Sequence, residues 1–243
     1  MKSAALDPRL PRYQRLRDSL ESRIAAGRWK LGQSIPTEAE LGAEHGLSIG
    51  TVRKAVDALV AQGLLERIQG KGTYIRRPRF DSSLFRFFRF EGRDGHALSP
   101  VGKILKRELA AAPGPVAAAL GLVAGARAVH LNRLRLVEGR PFLVESIWLP
   151  RDRFAALLKI DPAAFGDLLY PLYESHCGQV VASAEDTLAA EAVSARHGKL
   201  LGLEPGTPVI VIERLARSFD RRPLEWRRTL GAADKFRYHV EFR

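Results

Sequence analysis

The spacing of apolar residues changes character near residue 76. Up to that point it follows a helical period, and beyond it strand-like runs take over. Tyr13, Leu16, Leu20 and Ile24 recur at helical intervals with Arg15, Arg17, Asp18 and Arg23 between them, which predicts an amphipathic helix closed near Gly27. Thr37, followed by Glu38 and Glu40, opens a second helix that stops near Gly46, since an N-cap hydroxyl and first-turn acids suit the positive end of a helix. Ser48 opens a third, whose inner stripe of Val52, Ala55, Val56, Leu59 and Val60 ends at Gly63. Two short helices joined by a tight turn at Gly46 have the helix-turn-helix pattern. Leu64 to Gln69 and Thr73 to Ile75 then flank Gly70-Lys71-Gly72, which predicts a hairpin with Lys71 at its tip.

Beyond the charged stretch Arg76-Arg77-Pro78-Arg79, strands are expected at Val129–Val137, Phe142–Leu149, Val180–Leu188, Val209–Phe219 and Leu224–Leu230. Helices are expected around Phe154–Leu158, Phe165–Cys177 and Ala189–Leu201. Leu109 to Ala126 carries no charge, but Pro113, Pro115 and its glycines make it a loop followed by a short buried helix rather than a membrane span. Leu120-Gly121-Leu122, Gly125, Arg133 and Leu134 return 81 residues later as Leu201-Gly202-Leu203, Gly206, Arg214 and Leu215, and each copy is followed by a Pro-bearing turn, at Pro141 and Pro223. Each unit reads helix, Gly turn, strand, hairpin, strand. Two units predict one antiparallel sheet with pseudo-twofold symmetry, helices on one side and a cleft where the halves meet.

Composition narrows the function class. The chain has 243 residues, 46% of them hydrophobic, so sizeable cores are expected. A single cysteine, Cys177, excludes an internal disulfide framework or a cysteine-based metal cluster, and suits a reducing cytoplasm. Met1 to Arg12 has no apolar signal-like core. The six histidines are scattered without metal-binding spacing. Gly46-Leu47-Ser48-Ile49-Gly50 has the letters of a nucleophile elbow, but a helix, not a strand, precedes its serine. No catalytic residue, metal or cofactor is expected, and the chain is not read as an enzyme. Net charge is +12. Residues 1–78 hold 14 Lys+Arg against 8 Asp+Glu, an excess of six, and the other 165 residues hold 25 against 19, also six, so the excess is about twice as dense at the N-terminus. Basic charge favours a polyanionic partner, and on charge alone a nonspecific nucleic-acid binder fits as well as a specific one.

The outward face of the third predicted helix begins Ser48, Gly50, Thr51 and continues with Arg53, Lys54 and Asp57. Small and hydroxylic residues at a helix N-terminus let backbone N–H groups approach phosphate, and an arginine one turn further in reaches a base edge. Pro36-Thr37-Glu38-Ala39-Glu40-Leu41, Ser48-Ile49-Gly50-Thr51-Val52-Arg53, Leu59-Val60-Ala61-Gln62-Gly63-Leu64-Leu65 and Gln69-Gly70-Lys71-Gly72-Thr73 together resemble the winged helix-turn-helix domain of the GntR family of bacterial regulators, over about residues 10–76. The resemblance implies an operator-binding homodimer that protects an inverted repeat of double-stranded DNA. Thr37, Ser48, Ile49, Gly50, Thr51, Arg53, Lys54, Gln69, Lys71 and Gly72 are its candidate contacts, with Lys71 and Gly72 in the minor groove. The family often has arginine where Ala39 and Ile49 stand, so a different operator is expected.

After a linker at 77–82, residues 83–243 resemble the UTRA effector domain of HutC-type GntR regulators, which has a chorismate-lyase-like fold. Arg133-Leu134-Arg135, Pro141 with Glu145, Leu149-Pro150, Leu201-Gly202-Leu203 with Gly206-Thr207-Pro208-Val209, and Pro223-Leu224-Glu225 carry that resemblance. It implies an α+β protein in which this domain dimerises and holds a small-molecule effector. Arg133 and Arg135 lie two apart on a predicted strand and so share a face, where buried guanidiniums need an anion or paired carboxylates. Resemblance adds Glu145, Tyr170, Glu225 and Tyr238 to the effector site, with Arg86 near it. Arg133–Glu145 and Arg214–Glu225 are equally readable as structural ion pairs. The family commonly presents serine where Leu168 stands, which implies a ligand less polar than a sugar phosphate.

Overall fold

The computed structural model describes residues 10–76 and 100–235, so Arg86, Tyr238 and the linker at 77–82 lie outside the described residues. The chain divides into two compact units, one built on the first 78 residues and one on the sheet-forming remainder.

In the first unit, helices α1 (Arg12–Ala25), α2 (Glu38–His45) and α3 (Ile49–Ala61) precede a hairpin of β1 (Leu65–Ile68) and β2 (Gly72–Ile75). Leu16, Leu20, Ile24, Leu41, Val52, Ala55, Val56, Leu59, Leu65 and Ile75 are each at most 3% exposed, so the apolar stripes of all three helices close on one another and on the hairpin. Gly46 ends α2 in the left-handed conformation that glycine adopts without strain. A further segment, which the residue pattern does not announce, runs beside β2. The N–H of Ile35 bonds the carbonyl of Thr73, the N–H of Ile75 bonds that of Gln33, and Ser34 bridges Tyr74, so β2 is held on both of its edges.

The second unit is a six-stranded antiparallel sheet in the order β3 (Val101–Ala111), β4 (Arg127–Val137), β5 (Arg140–Pro150), β8 (Pro223–Ala232), β7 (Pro208–Arg217), β6 (Ser183–Ala192). Helix α4 (Gly114–Ala119) follows β3 as α7 (Ala195–Leu201) follows β6. The two copies of strand, helix, strand, strand meet at the β5–β8 pair, where Trp148 lies opposite Trp226. This is the pseudo-twofold sheet that the 81-residue repeat implies, with a strand added at each end. Strand β3 is absent from the sequence reading, because five of its eleven residues, Lys103, Lys106, Arg107, Glu108 and Gly102, break the apolar run of an edge strand that is largely solvated. Ala189–Ala192, read from sequence as helix, instead completes β6, and α7 starts only after the Ser194 cap. Helix formers with small side chains are accepted there because a partner strand, β7, supplies the hydrogen bonds.

The helices do not lie on one side. Helices α4 and α7 cover the face carrying Ala128, Leu134, Val144, Trp148, Val211 and Leu230. The segment between the two copies covers the other face, with α5 (Arg151–Phe154), two 3-10 turns and α6 (Leu169–Cys177) packed over Val129, Leu131, Ile147, Leu149 and Ala216. Strands β4 and β5 are therefore apolar on both faces, which a one-sided reading of the pattern does not capture. No helix among the described residues is long and apolar enough to cross a membrane.

Gly198 marks a point of tight packing in α7. A Cβ there would stand 2.6 Å from the carbonyl oxygen of Leu203. Gly198→Ala is expected to destabilise the protein by about 1–3 kcal/mol, read as a lower urea midpoint with unchanged slope; an unchanged midpoint would show that the turn has room to give.

Candidate functional site

Two groups of polar residues stand out, one on each unit. On the first, Thr37 caps α2 in a reciprocal capping box: its Oγ1 accepts the Glu40 N–H at 3.2 Å, and Glu40 Oε2 accepts the Thr37 N–H at 2.7 Å. Those bonds hold the Glu40 carboxyl below its ordinary range. Ser48 caps α3 by accepting the Thr51 N–H, and its hydroxyl shares a 2.9 Å hydrogen bond with that of Thr51. Both hydroxyls thus set the start of the helix. Glu38 sits between two cations: Arg53 Nε donates to it at 3.0 Å and Arg67 at 2.8 Å, which links α2, α3 and β1. The bond to Arg53 uses Nε, and 62% of the Arg53 side chain remains exposed.

The wing turns through Gly70 and Gly72, both with positive φ, and Tyr74 closes the tip by donating its hydroxyl to the Lys71 carbonyl. Thr37, Ile49, Gln69, Lys71 and Gly72 line one open groove between the start of α3 and the wing, together with Ala39 and Arg67. Ser48, Gly50, Thr51, Arg53 and Lys54 occupy the first turns of α3, and all but Thr51 are exposed. Such a surface sets hydroxyls, a helix start and exposed cations along two edges of a groove that Glu38, Glu40 and Glu44 also line, an arrangement suited to a phosphate backbone and base edges.

On the second unit, one sheet face carries a buried charged cluster. Period-two alternation and the register put Arg133 opposite Glu145 and Glu145 opposite Thr229, while Arg227 on β8 faces Arg214 on β7, itself opposite Asp186 on β6. Arg133, Arg135, Glu145, Arg214, Glu225, Arg227 and Thr229 are each no more than 4% exposed. Glu145 takes Arg227 at 3.2 Å and Arg133 at 3.5 Å. Glu225 takes Arg227 at 2.7 Å and accepts the hydroxyls of Tyr170 and Tyr173 at 3.2 and 2.7 Å. Burial pushes the Glu145 carboxyl up, but Arg227, Arg133 and Arg135 outweigh it and hold the group low. Burial and the neighbouring Glu225 carboxylate push both tyrosine hydroxyls up, so they remain protonated donors.

Arg133 and Arg135 turn to the chain itself. Arg133 donates to the carbonyls of Gly166 and Asp167, and Arg135 to those of Asp167 and Pro100, all at 2.7–3.0 Å. The Asp167 carboxylate accepts the Gly102 N–H at 2.8 Å. The Arg133 guanidinium passes directly over Gly102, in space that a Cβ would fill. Gly166, with φ 60° and ψ −170°, holds a backbone conformation that essentially only glycine adopts. Burial pushes the Arg135 pKa down to about 10, against the pull of Glu145. Arg133 Nε, Arg227 Nε and Thr229 Oγ1 are buried with no hydrogen-bond partner among the described residues.

The structure thus brings together Arg133, Arg135, Glu145, Tyr170 and Glu225 of the residues singled out in the sequence. One expected pair is corrected: Arg214 binds Asp186 at 2.6–2.7 Å through two nitrogens, not Glu225, because the register sets it across from Asp186 and Glu225 across from Ala216. Sequence reasoning missed Arg227, Tyr173, Asp167 and Thr229. Arg227 and Thr229 were findable, since they follow Glu225 at intervals of two and so share its face. Tyr173 stands one helical turn from Tyr170.

Glu145→Gln keeps the shape but removes the charge that Arg133 and Arg227 share. Breaking a buried pair from one side costs about 3–5 kcal/mol, so a clear loss in Tm is expected by calorimetry. Because the Glu145 carboxyl is held low in the folded state, its contribution is present above the usual carboxylate range and is lost as pH falls through its folded value. The wild-type advantage over Glu145→Gln should therefore shrink on acidification; a constant advantage would rule out the charge as its origin.

The comparisons with known proteins agree with this division. Residues 12–75 match the model of bacterial regulatory proteins of the gntR family, and residues 96–237, more than half of the chain, match the UTRA domain. The chain is 31% identical over 211 residues to the HTH-type transcriptional regulator SmoD of Agrobacterium fabrum, with 87% of each chain covered. It is 27% identical over 232 residues to the mannosyl-D-glycerate transport/metabolism system repressor MngR of Escherichia coli, with 94% of each covered. The ligand-binding domain of a GntR-family transcriptional regulator from Bordetella bronchiseptica superposes with a TM-score of 0.57 at 30% identity, over 69% of this chain and 99% of that one. With a helix-turn-helix and wing in the first unit and a UTRA sheet in the second, the chain belongs to the GntR family of bacterial regulatory proteins: it is a DNA-binding transcription regulator with an effector domain, and not an enzyme.

Proposed function

We propose that the chain is a cytoplasmic repressor of the HutC-type branch, acting as a homodimer on an inverted-repeat operator and controlled by a small anionic effector. Residues 10–76 bind DNA, 77–82 link, and 83–243 bind effector and dimerise. The observation that carries the anionic effector is the pair of neighbouring buried guanidiniums, Arg133 and Arg135, whose donors rest on the backbone carbonyls of Gly166, Asp167 and Pro100. A carboxylate or phosphate accepts such donors more strongly than a neutral carbonyl does. Arg133 Nε, Arg227 Nε and Thr229 Oγ1, which have no hydrogen-bond partner among the described residues, lie on the same sheet face and add further donors. Arg133, Arg135, Glu145, Tyr170 and Glu225 form the effector site, with Arg86 and Tyr238 completing it. Repression is supported by relatives such as MngR, which is named a repressor.

Coupling follows from the same bonds. An anion that takes the donors of Arg135 competes with the Pro100 carbonyl at the start of β3, the strand that the chain enters after residues 77–99. Displacement there alters the linker and the spacing of two winged helices in the dimer. On DNA, Ser48, Gly50, Thr51, Arg53 and Lys54 enter the major groove with Thr37 and Ile49 beside them, while Gln69, Lys71 and Gly72 follow the minor groove.

Selection from random duplexes with the full chain should return an inverted repeat whose half-sites lie about one helical turn, ~34–36 Å, apart. Arg53→Ala should lower specific affinity, and Lys71→Ala should weaken binding evenly across sequences and reduce the salt slope by about one. No enriched sequence would sink the operator reading. A thermal-shift screen of carboxylates and phosphomonoesters should find a stabilising anion whose effect is lost in Arg135→Gln and which changes operator affinity in the wild type. A stabiliser that acts equally on Arg135→Gln would place the site elsewhere.

A further inference from the structure

The start of α3 carries an exposed apolar side chain at the rim of a groove that Ile68, 40% exposed, and Trp29 also line. Ile49 is 51% exposed, while Val52, Ala55, Val56 and Leu59 of the same helix are at most 1% exposed. It is the first residue of α3 and lines the groove with the exposed Ala39. The polar groups nearest in sequence are partly engaged: Ser48 and Thr51 hydroxyls share one hydrogen bond, and the Thr37 hydroxyl bonds Glu40. Beside them this end of the helix sets an exposed apolar side chain at the groove.

We propose that Ile49, with Ala39 beside it, reads the C5-methyl group of a thymine in the major groove of the operator. The inference rests on the DNA-binding reading of this surface and specifies what it recognises. Among base edges in the major groove, thymine alone presents an apolar group, whereas guanine, cytosine and adenine present hydrogen-bonding atoms there. Those atoms lose their water against an isoleucine and gain no partner. The occupant is a duplex and not an apolar protein, because Arg53 and Lys54 follow Ile49 as exposed cations on α3, and Arg67 and Lys71 line the groove beside Glu38, Glu40 and Glu44, within a segment, 1–78, that carries an excess of six positive charges. Arg53, one turn further along α3, has its terminal nitrogens outside the bond to Glu38, and so supplies a hydrogen-bonding contact next to the apolar one. Each half-site then pairs one methyl-dependent position with one donor-dependent position.

The test uses the full chain and its selected operator. Each thymine is replaced in turn by uracil, which pairs identically and lacks only the C5-methyl group. Burial of one such group corresponds to about a 3- to 5-fold change in affinity, so one thymine per half-site should show that loss, and about 10- to 20-fold when both half-sites are changed. Ile49→Ala should bind the thymine operator less tightly by a similar factor and be indifferent to uracil at that position. Ile49→Arg should shift the selected base there toward guanine. Ile49 is half-exposed on the first turn, and thermal melting of each variant checks that the fold is intact. Equal wild-type affinity for thymine and uracil at every position overturns the proposal, as does a uracil penalty that Ile49→Ala retains in full. A pool with no enriched duplex overturns the DNA-binding reading and this one with it.

Discussion

The second unit is organised around a single carboxylate. Glu145, fully buried on the central strand β5, is shared by Arg133 from β4 and Arg227 from β8. The strands are neighbours in the sheet, so the ion pairs lie across the ladder and lock its register: a slip of one residue would move every member to the opposite, apolar face. Burying guanidiniums is costly unless their charge is met. Across this face four of them, Arg133, Arg135, Arg214 and Arg227, stand among the three carboxylates Glu145, Glu225 and Asp186. The balance is met unevenly. Arg227 and Arg214 are each bound to carboxylates that raise their affinity for the proton, whereas Arg135 is depressed by burial. The place where the protein's own anions do least is also the place where the chain's carbonyls stand in.

That unevenness explains several local features. Gly102 lacks a side chain where Arg133 must pass, and Gly166 adopts a glycine-only conformation that presents its carbonyl to the same guanidinium. Two glycines at separate points in the sequence thus serve one side chain. Tyr170 and Tyr173 occupy successive turns of α6 and reach down to Glu225, so the helix that covers this face is tied to it by hydrogen bonds as well as by Leu169 and Leu172. The covering segment has no counterpart in the repeated unit. It is an insertion between the copies, and the symmetry of the sheet is broken on the face where the charged cluster lies.

Much of this was legible in the sequence, and the failures have physical causes. The three helices and the hairpin of the first unit were readable because caps, glycine stops and helical periodicity agree there. The repeat foretold one antiparallel sheet with pseudo-twofold symmetry. Edge strand β3 and the end of β6 were misread because solvated edges relax the alternation on which strand reading depends: Lys103, Lys106 and Arg107 interrupt β3, and Ala189, Ala190 and Ala192 favour helix on propensity alone. Of the buried cluster, the members on one strand were readable by period two, while the partner of Arg214 was not. Its pairing with Asp186 depends on the β6–β7 register, a nonlocal property that no short pattern specifies.

A parallel logic governs the first unit with the opposite solvent exposure. Glu38 holds Arg53 and Arg67 as Glu145 holds its two arginines, but here the guanidiniums remain largely outside. Exposed pairs contribute little to stability, so the value of Glu38 lies in placement: it ties cations from α3 and β1 beside the groove. The two carboxylates therefore play different parts because of depth alone. The buried one fixes a register, and the exposed one presents charge to a surface. The charged groups of both units rest on arginines held by carboxylates, and burial decides which of these pairs fix a register and which stay open to solvent.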